Sequence, residues 1–224
     1  GIFSGTVDFD PGIDLFEMVS VGGTNIFISK LNTSGDFLWA NQMGGPGDDH
    51  LNSLTLDVTG NIYSTGYFRN TADFDPGPET FNLIATDVSD IFVSNLDIDG
   101  NFVWAKKLGG MGHEEGFSIV TDNSGSVYTC GSFVQFTDFD PSDDFFTLTA
   151  EGGGDPFVHK MKDVLTGINT LNNSNSINVN LYPNPNPGIF TISGENLKKI
   201  ELYSIEGKLI NTIIPENKSK YQVK

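Results

Sequence analysis

The chain has 224 residues, 38% hydrophobic and 12% aromatic, enough apolar mass for one large domain or two small ones. Its 29 acidic and 12 basic residues leave a formal net charge of −17, which excludes nucleic acid as a partner and a polybasic membrane-surface role. No apolar run approaches the roughly 20 residues of a membrane-spanning helix, and the single cysteine, Cys130, excludes an internal disulfide.

Taken in chain order, the first motif is Asp8-Phe9-Asp10-Pro11-Gly12. It recurs as Asp73-Phe74-Asp75-Pro76-Gly77 and as Asp138-Phe139-Asp140-Pro141-Ser142, at intervals of 65 residues. The same offset links Trp39 to Trp104, Gly44-Gly45 to Gly109-Gly110, and Tyr63 to Tyr128. Gly1, Phe3 and Phe27 return as Gly66, Phe68 and Phe92, then as Gly131, Phe133 and Phe157. A gapless offset held at so many positions is an internal repeat. The chain opens late inside one unit and the pattern fades soon after Met161. About two and a half copies, cut from a longer chain, are therefore expected.

Within a unit the punctuation is regular. Asp90 to Leu96 reads as a strand, and 97–101 as a turn in which Gly100 takes positive φ. Phe102 to Lys106 reads as the return strand, with Phe102 and Trp104 on one face. Gly109-Gly110-Met111-Gly112 breaks it. Phe117 to Thr121 and Val127 to Phe133 complete four short antiparallel strands, the blade plan of a β-propeller. The Asp-Phe-Asp-Pro-Gly loop and the apolar stretch after it predict a fifth edge strand or a long loop between blades. A β-solenoid or stacked sandwich is the alternative architecture.

Near residue 164 the composition shifts. Residues 1–165 hold 25 acids and 6 bases, net −19; residues 166–224 hold 4 acids and 6 bases, net +2. The expected organisation is a repeat region over 1–163, an Asn/Ser/Thr-rich linker over 164–180 and a separate C-terminal domain over 181–224. The expected fold class is all-β: a partial β-propeller of about 2.5 four-stranded blades, then a small incomplete β-sandwich tail. Such an open array predicts exposed sheet edges, with self-association or poor stability.

Two stretches resemble known families. Phe-Val-x-x-Leu-Asp-x-Asp-Gly-Asn-Phe-x-Trp-Ala (from Phe92), then Gly-Gly, then Asp-x-x-Gly-x-Val-Tyr-x-x-Gly, resembles the bacterial β-propeller repeat of the SBBP type. That resemblance implies a secreted or surface propeller and no particular reaction. Leu181-Tyr182-Pro183-Asn184-Pro185, then 188–192 and 200–210, is similar to the type A sorting domain of type IX secretion. Its most specific marks are Tyr182, Pro183, Asn184 and Pro185, with Gly207 and Lys208 in a late hairpin. This resemblance implies a small β-sandwich that engages the type IX machinery, and release or attachment at the surface of a diderm bacterium. The sequence stops at Lys224, before the last strands and terminal basic residues of that family, so the copy reads as truncated.

Candidate sites are few. Asp8 and Asp10, Asp73 and Asp75, and Asp138 and Asp140 are carboxylates two residues apart, and hard oxygen ligands so placed suit Ca²⁺ outside cells. The competing reading is that each Asp caps a turn through its own backbone. Asp97 and Asp99 match only part of a calcium loop, since the first copy has Asn32 and Ser34 there. Asp48-Asp49-His50 and His113-Glu114-Glu115 share an offset, and carboxylate with imidazole suits acid–base work. Their freely exchanged residue types fit a solvated loop better. Trp39 and Trp104 read as blade core, His159 as packed or surface-exposed, and Cys130 as a small buried residue. No catalytic constellation is apparent. The expected role is a secreted, non-catalytic binding or structural scaffold, with an extracellular glycan or protein as ligand. The alternative is a piece of a propeller enzyme, such as a polysaccharide hydrolase, whose active site lies in other blades.

Overall fold

The computed structural model describes residues 1–122, 125–142 and 144–162 in full, and the tail strands 180–182, 190–193, 200–203, 209–213 and 220–223 as backbone. The chain forms two compact units, Gly1–Asp163 and Val164–Lys224. All described regular structure is β, and every strand pair is antiparallel.

In the first unit the strands are β1 (Ile2–Phe3), β2 (Thr6–Asp8), β3 (Glu17–Val19), β4 (Asn25–Leu31), β5 (Phe37–Met43), β6 (His50–Leu56), β7 (Ile62–Phe68) and β8 (Thr71–Asp73). They continue as β9 (Asn82–Ile84), β10 (Asp90–Leu96), β11 (Phe102–Gly110), β12 (Glu115–Thr121), β13 (Ser126–Phe133), β14 (Phe136–Asp138), β15 (Thr147–Thr149) and β16 (Asp155–Lys162). The middle blade is the meander β6-β7-β10-β11. The first blade is β1-β4-β5 and the last is β12-β13-β16.

This grouping corrects the sequence reading, which joins β10 and β11 to the two strands that follow. β10 instead runs along all of β7, from Asp90 opposite Phe68 to Leu96 opposite Ile62. The chain leaves this sheet at Gly109-Gly110, and β12 begins the next blade, packed against β6 and β7. Side chains lace the two blades. Asn52 donates to the Gly116 carbonyl (2.9 Å), Thr121 Oγ1 to the Leu56 carbonyl (3.2 Å), and the Ile119 amide to Ser53 Oγ (3.3 Å).

The Asp-Phe-Asp-Pro-Gly segment does not connect blades. In the last copy its hairpin supplies the expected edge strand, with β14 and then β15 lying outside β11 in the sheet of the middle blade. In chain order each hairpin falls between the second and third strands of its own blade: β2–β3, β8–β9 and β14–β15. Each later hairpin reaches back to the blade before it. β14 pairs with the end of β11 (Gly109 opposite Asp138, Gly110 opposite Thr137), and Gly44 bridges Asp73 in the same way. The Gly-Gly pairs permit this strap. A Cβ on Gly45 would overlap the Thr71 carbonyl oxygen, and one on Gly110 that of Phe136.

The core follows the period of two. Phe92 and Leu96 of β10 face the first blade, among Ile26, Met43, Phe68 and Phe74. Ile91 and Val93 face the last blade, beside Phe133 and Phe157 and beside Trp104 and Ile119 respectively. With both faces covered, every residue of β10 is buried. Trp104 is core. Trp39 packs from a half-buried position against the cluster around Phe92, and Cys130 is half-buried rather than buried.

The tail holds β17 (Asn180–Tyr182), β18 (Phe190–Ser193), β19 (Ile200–Tyr203), β20 (Leu209–Ile213) and β21 (Lys220–Val223). They form two antiparallel sheets, β17-β18-β21 and β19-β20.

Candidate functional site

The repeated Asp-Phe-Asp motif places its three side chains in three different jobs. The first carboxylate closes the hairpin. Asp73 Oδ1 accepts the amides of Asp75 (3.0 Å) and Phe81 (2.8 Å). Asp8 does the same for Asp10 (3.0 Å) and Phe16 (2.9 Å), and Asp138 for Asp140 (3.0 Å) and Phe146 (2.9 Å). The second carboxylate makes a short turn: Asp10 accepts the Gly12 amide (2.7 Å), Asp75 the Gly77 amide (2.7 Å) and Asp140 the Ser142 amide (2.9 Å). Such side-chain-to-backbone bonds are what makes Asp favourable in turns.

The central phenylalanine anchors the strap. Phe74 meets Phe68 edge-on at 5.5 Å and Phe92 at 4.9 Å. The same trio returns as Phe3-Phe9-Phe27 and Phe133-Phe139-Phe157. Among the described residues no group of three or more His, Cys, Asp or Glu is arranged to hold a metal ion. The six motif aspartates thus lie one pair per hairpin.

Asp97 also serves its own turn, accepting the amides of Asp99 and Asn101 at 2.9 Å each. Burial acts to raise its pKa, but the bonds from Asn101 and Asp99 outweigh it and hold the carboxyl below its ordinary range.

A denser constellation sits where the middle and last blades meet. It unites the two loops that the sequence relates by offset. His50 stacks on Tyr67 (4.7 Å, 12° between planes), and His113 meets the same ring edge-on at 5.3 Å. Arg69 lies over that ring at 5.8 Å and reaches Asp48 at 3.9 Å. Burial raises the Tyr67 phenol above its ordinary pKa. His113 contacts Ser89 Oγ through Nδ1 and Glu115 through Nε2 (3.5 Å). Asn52 donates to Glu115 Oε1 at 2.9 Å.

Serine, imidazole and carboxylate in line have the connectivity of an activated nucleophile. Ser89, however, has no exposed surface. A substrate carbonyl cannot meet its Oγ, so the relay positions His113 at the joint.

The reading of both loops as solvated fails at their central residue. Asp49 and Glu114 are fully buried. Asp49 accepts the amides of Gly45 (2.7 Å) and Arg69 (3.1 Å) and the Asn25 side chain (3.5 Å). Burial raises its pKa, and the two backbone bonds oppose that rise. The available signal was the retained acid. Residues 48 and 113, and 50 and 115, exchange type, whereas 49 and 114 stay acidic.

His159 is half-buried, 6.3 Å from the Phe139 ring, and burial lowers its pKa. Of the sorting motif, Tyr182 ends β17, while Pro183, Asn184, Pro185, Gly207 and Lys208 lie outside the described residues.

The fold and these joints define an all-β repeat protein of propeller type. Comparison adds a destination. Residues 180–224 match the secretion system C-terminal sorting domain family. That match supports export through type IX secretion, engagement of its machinery by this segment, and a secreted or cell-surface location. Over 135 residues, 59% of this chain, the sequence is 27% identical to an uncharacterized WD repeat-containing protein of Acanthamoeba polyphaga mimivirus. The chain spans 9% of that protein's length.

Proposed function

We propose that this chain belongs to an exported, non-catalytic scaffold, a propeller repeat of the SBBP type that binds an extracellular glycan or protein. The observation that carries this reading is the employment of the repeated residues. Asp8, Asp73 and Asp138 each close a hairpin, and Phe68, Phe74 and Phe92 fill one core. A repeat whose recurring positions are spent on joints and turns is suited to presenting variable surface. The half-buried cluster of His50, Tyr67 and Arg69 sets aromatic rings beside a cation, chemistry that suits a sugar ring with polar substituents.

A glycan array and a hydrolase panel run on the full-length protein test the proposal. Binding without turnover is expected. Turnover of any bound polysaccharide would overturn the non-catalytic reading.

A further inference from the structure

The two blade joints are built on the same plan with different chemistry. In the first, Asn25, Gln42 and Asp49 meet; 65 residues on, their places are taken by Asp90, Lys107 and Glu114. At the first joint every hydrogen needed is covalently supplied. The Asn25 amide donates to Asp49 (3.5 Å) and to the Gly45 carbonyl (3.2 Å), and Gln42 donates to Asn25 (3.5 Å).

At the second joint an acid replaces the amide. Asp90 and Glu114 are both 0% exposed. Asp90 Oδ2 accepts the Thr86 amide (3.0 Å), the Thr86 hydroxyl (3.1 Å) and Lys107 Nζ (3.0 Å). Glu114 Oε1 accepts the Thr137 hydroxyl (3.3 Å), and the Gly110 amide also donates to this carboxyl. That leaves Asp90 Oδ1 and Glu114 Oε2 buried without a donor among the described residues. The two side chains are within hydrogen-bonding reach of each other. Two acceptors cannot bond unless one of them carries hydrogen, and an unpartnered buried carboxylate oxygen is costly.

We propose that this joint is a buried proton-binding site, in which Glu114 and Asp90 hold one proton between Oε2 and Oδ1 and so close the middle blade onto the last. Charge balance agrees. The groups facing the pair are Lys107 from β11, which also donates to the Ile84 carbonyl (2.9 Å), and the neutral Thr137 from β14. On the β12 side His113 and Glu115 pair with each other. Two carboxylates, one lysine and one proton are neutral. Without the proton a net negative charge is left where water is excluded.

Burial first, and then the charge of Asp90, push Glu114 up to about 7 from an ordinary 4.5. A group whose folded pKa is raised stabilises the fold fully below its unfolded value and loses that contribution as pH rises through the folded one. The joint is therefore tightest at acid pH and loosens between about pH 4.5 and 7. At the first joint burial also raises Asp49, but Asn25 puts a donor amide beside it where the second joint has a second carboxylate.

Carbon-13 NMR of the Glu carboxyls in the full chain tests the site, run beside urea unfolding from pH 5 to 8.5 on wild type, E114Q and D90N. Wild-type Glu114 is expected to titrate near neutrality, and the urea midpoint to fall as pH rises. D90N restores the amide of the first joint, so proton affinity at Glu114 should drop at least about tenfold, one pH unit. The pH dependence of the urea midpoint should flatten in both variants. Titration of wild-type Glu114 in the ordinary carboxylate range, which needs no variant to fold, would overturn the proposal. So would a Glu114 midpoint unmoved by D90N.

Discussion

Phe74→Ala isolates the strap that joins one blade to the next. Phe74 is 0% exposed, and both rings it touches, Phe68 and Phe92, are also 0% exposed. Truncation removes a fully buried ring and leaves a cavity whose aromatic walls belong to two sheet strands and cannot collapse freely. Phe→Ala at such a site costs about 3–5 kcal/mol, including about 0.5–1.5 kcal/mol for each lost aromatic pair. Phe9, the equivalent residue of the first copy, is only half-buried. Its truncation forfeits part of the transfer term and opens no sealed cavity, a loss of about 1–2 kcal/mol. Urea unfolding followed by the fluorescence of Trp39 and Trp104 measures both. Equal slopes and a midpoint drop two- to threefold larger for Phe74→Ala are expected. A Phe74→Ala loss under about 1 kcal/mol, or equal losses at the two sites, would refute the strap as a core element.

Asp73→Ala removes an acceptor from the Asp75 and Phe81 amides and should cost about 1.5–3 kcal/mol by urea unfolding; Asp73→Asn, which keeps one oxygen, should recover more than half. Because the motif turns are closed by backbone amides, the melting temperature should shift by less than about 2 °C between excess Ca²⁺ and EDTA, and a larger drop on chelation would assign the aspartates to a cation. Gly110→Ala places a methyl against the Phe136 carbonyl, and limited proteolysis should then cut the β14–β15 hairpin faster than in wild type.

The architecture was legible because the repeat is gapless. Offsets of 65 residues located each hairpin, and the alternation of Phe102 with Trp104 located a core face. The blade boundary was not legible, since the long insert between β7 and β10 hides that these strands are neighbours. Nothing local to Asp90 or Phe68 reports their pairing, which depends on the strap folding out of the way. The buried acids were missed for a related reason. Asp49 and Glu114 sit in polar loops flanked by charge, where acids are ordinarily solvated, and only the closure of one blade on the next removes them from water. The motif aspartates were readable in type but ambiguous in role, because a turn cap and a calcium ligand require the same oxygen.

Export is the claim on which the functional reading rests most heavily. The measurement is the location of the full-length protein, with and without residues 180–224, in a type IX-competent bacterium and in an isogenic strain lacking the secretion machinery. Protein is expected in the medium or on the surface only when both the segment and the machinery are present. Export without residues 180–224, or export in the strain lacking the machinery, would contradict it.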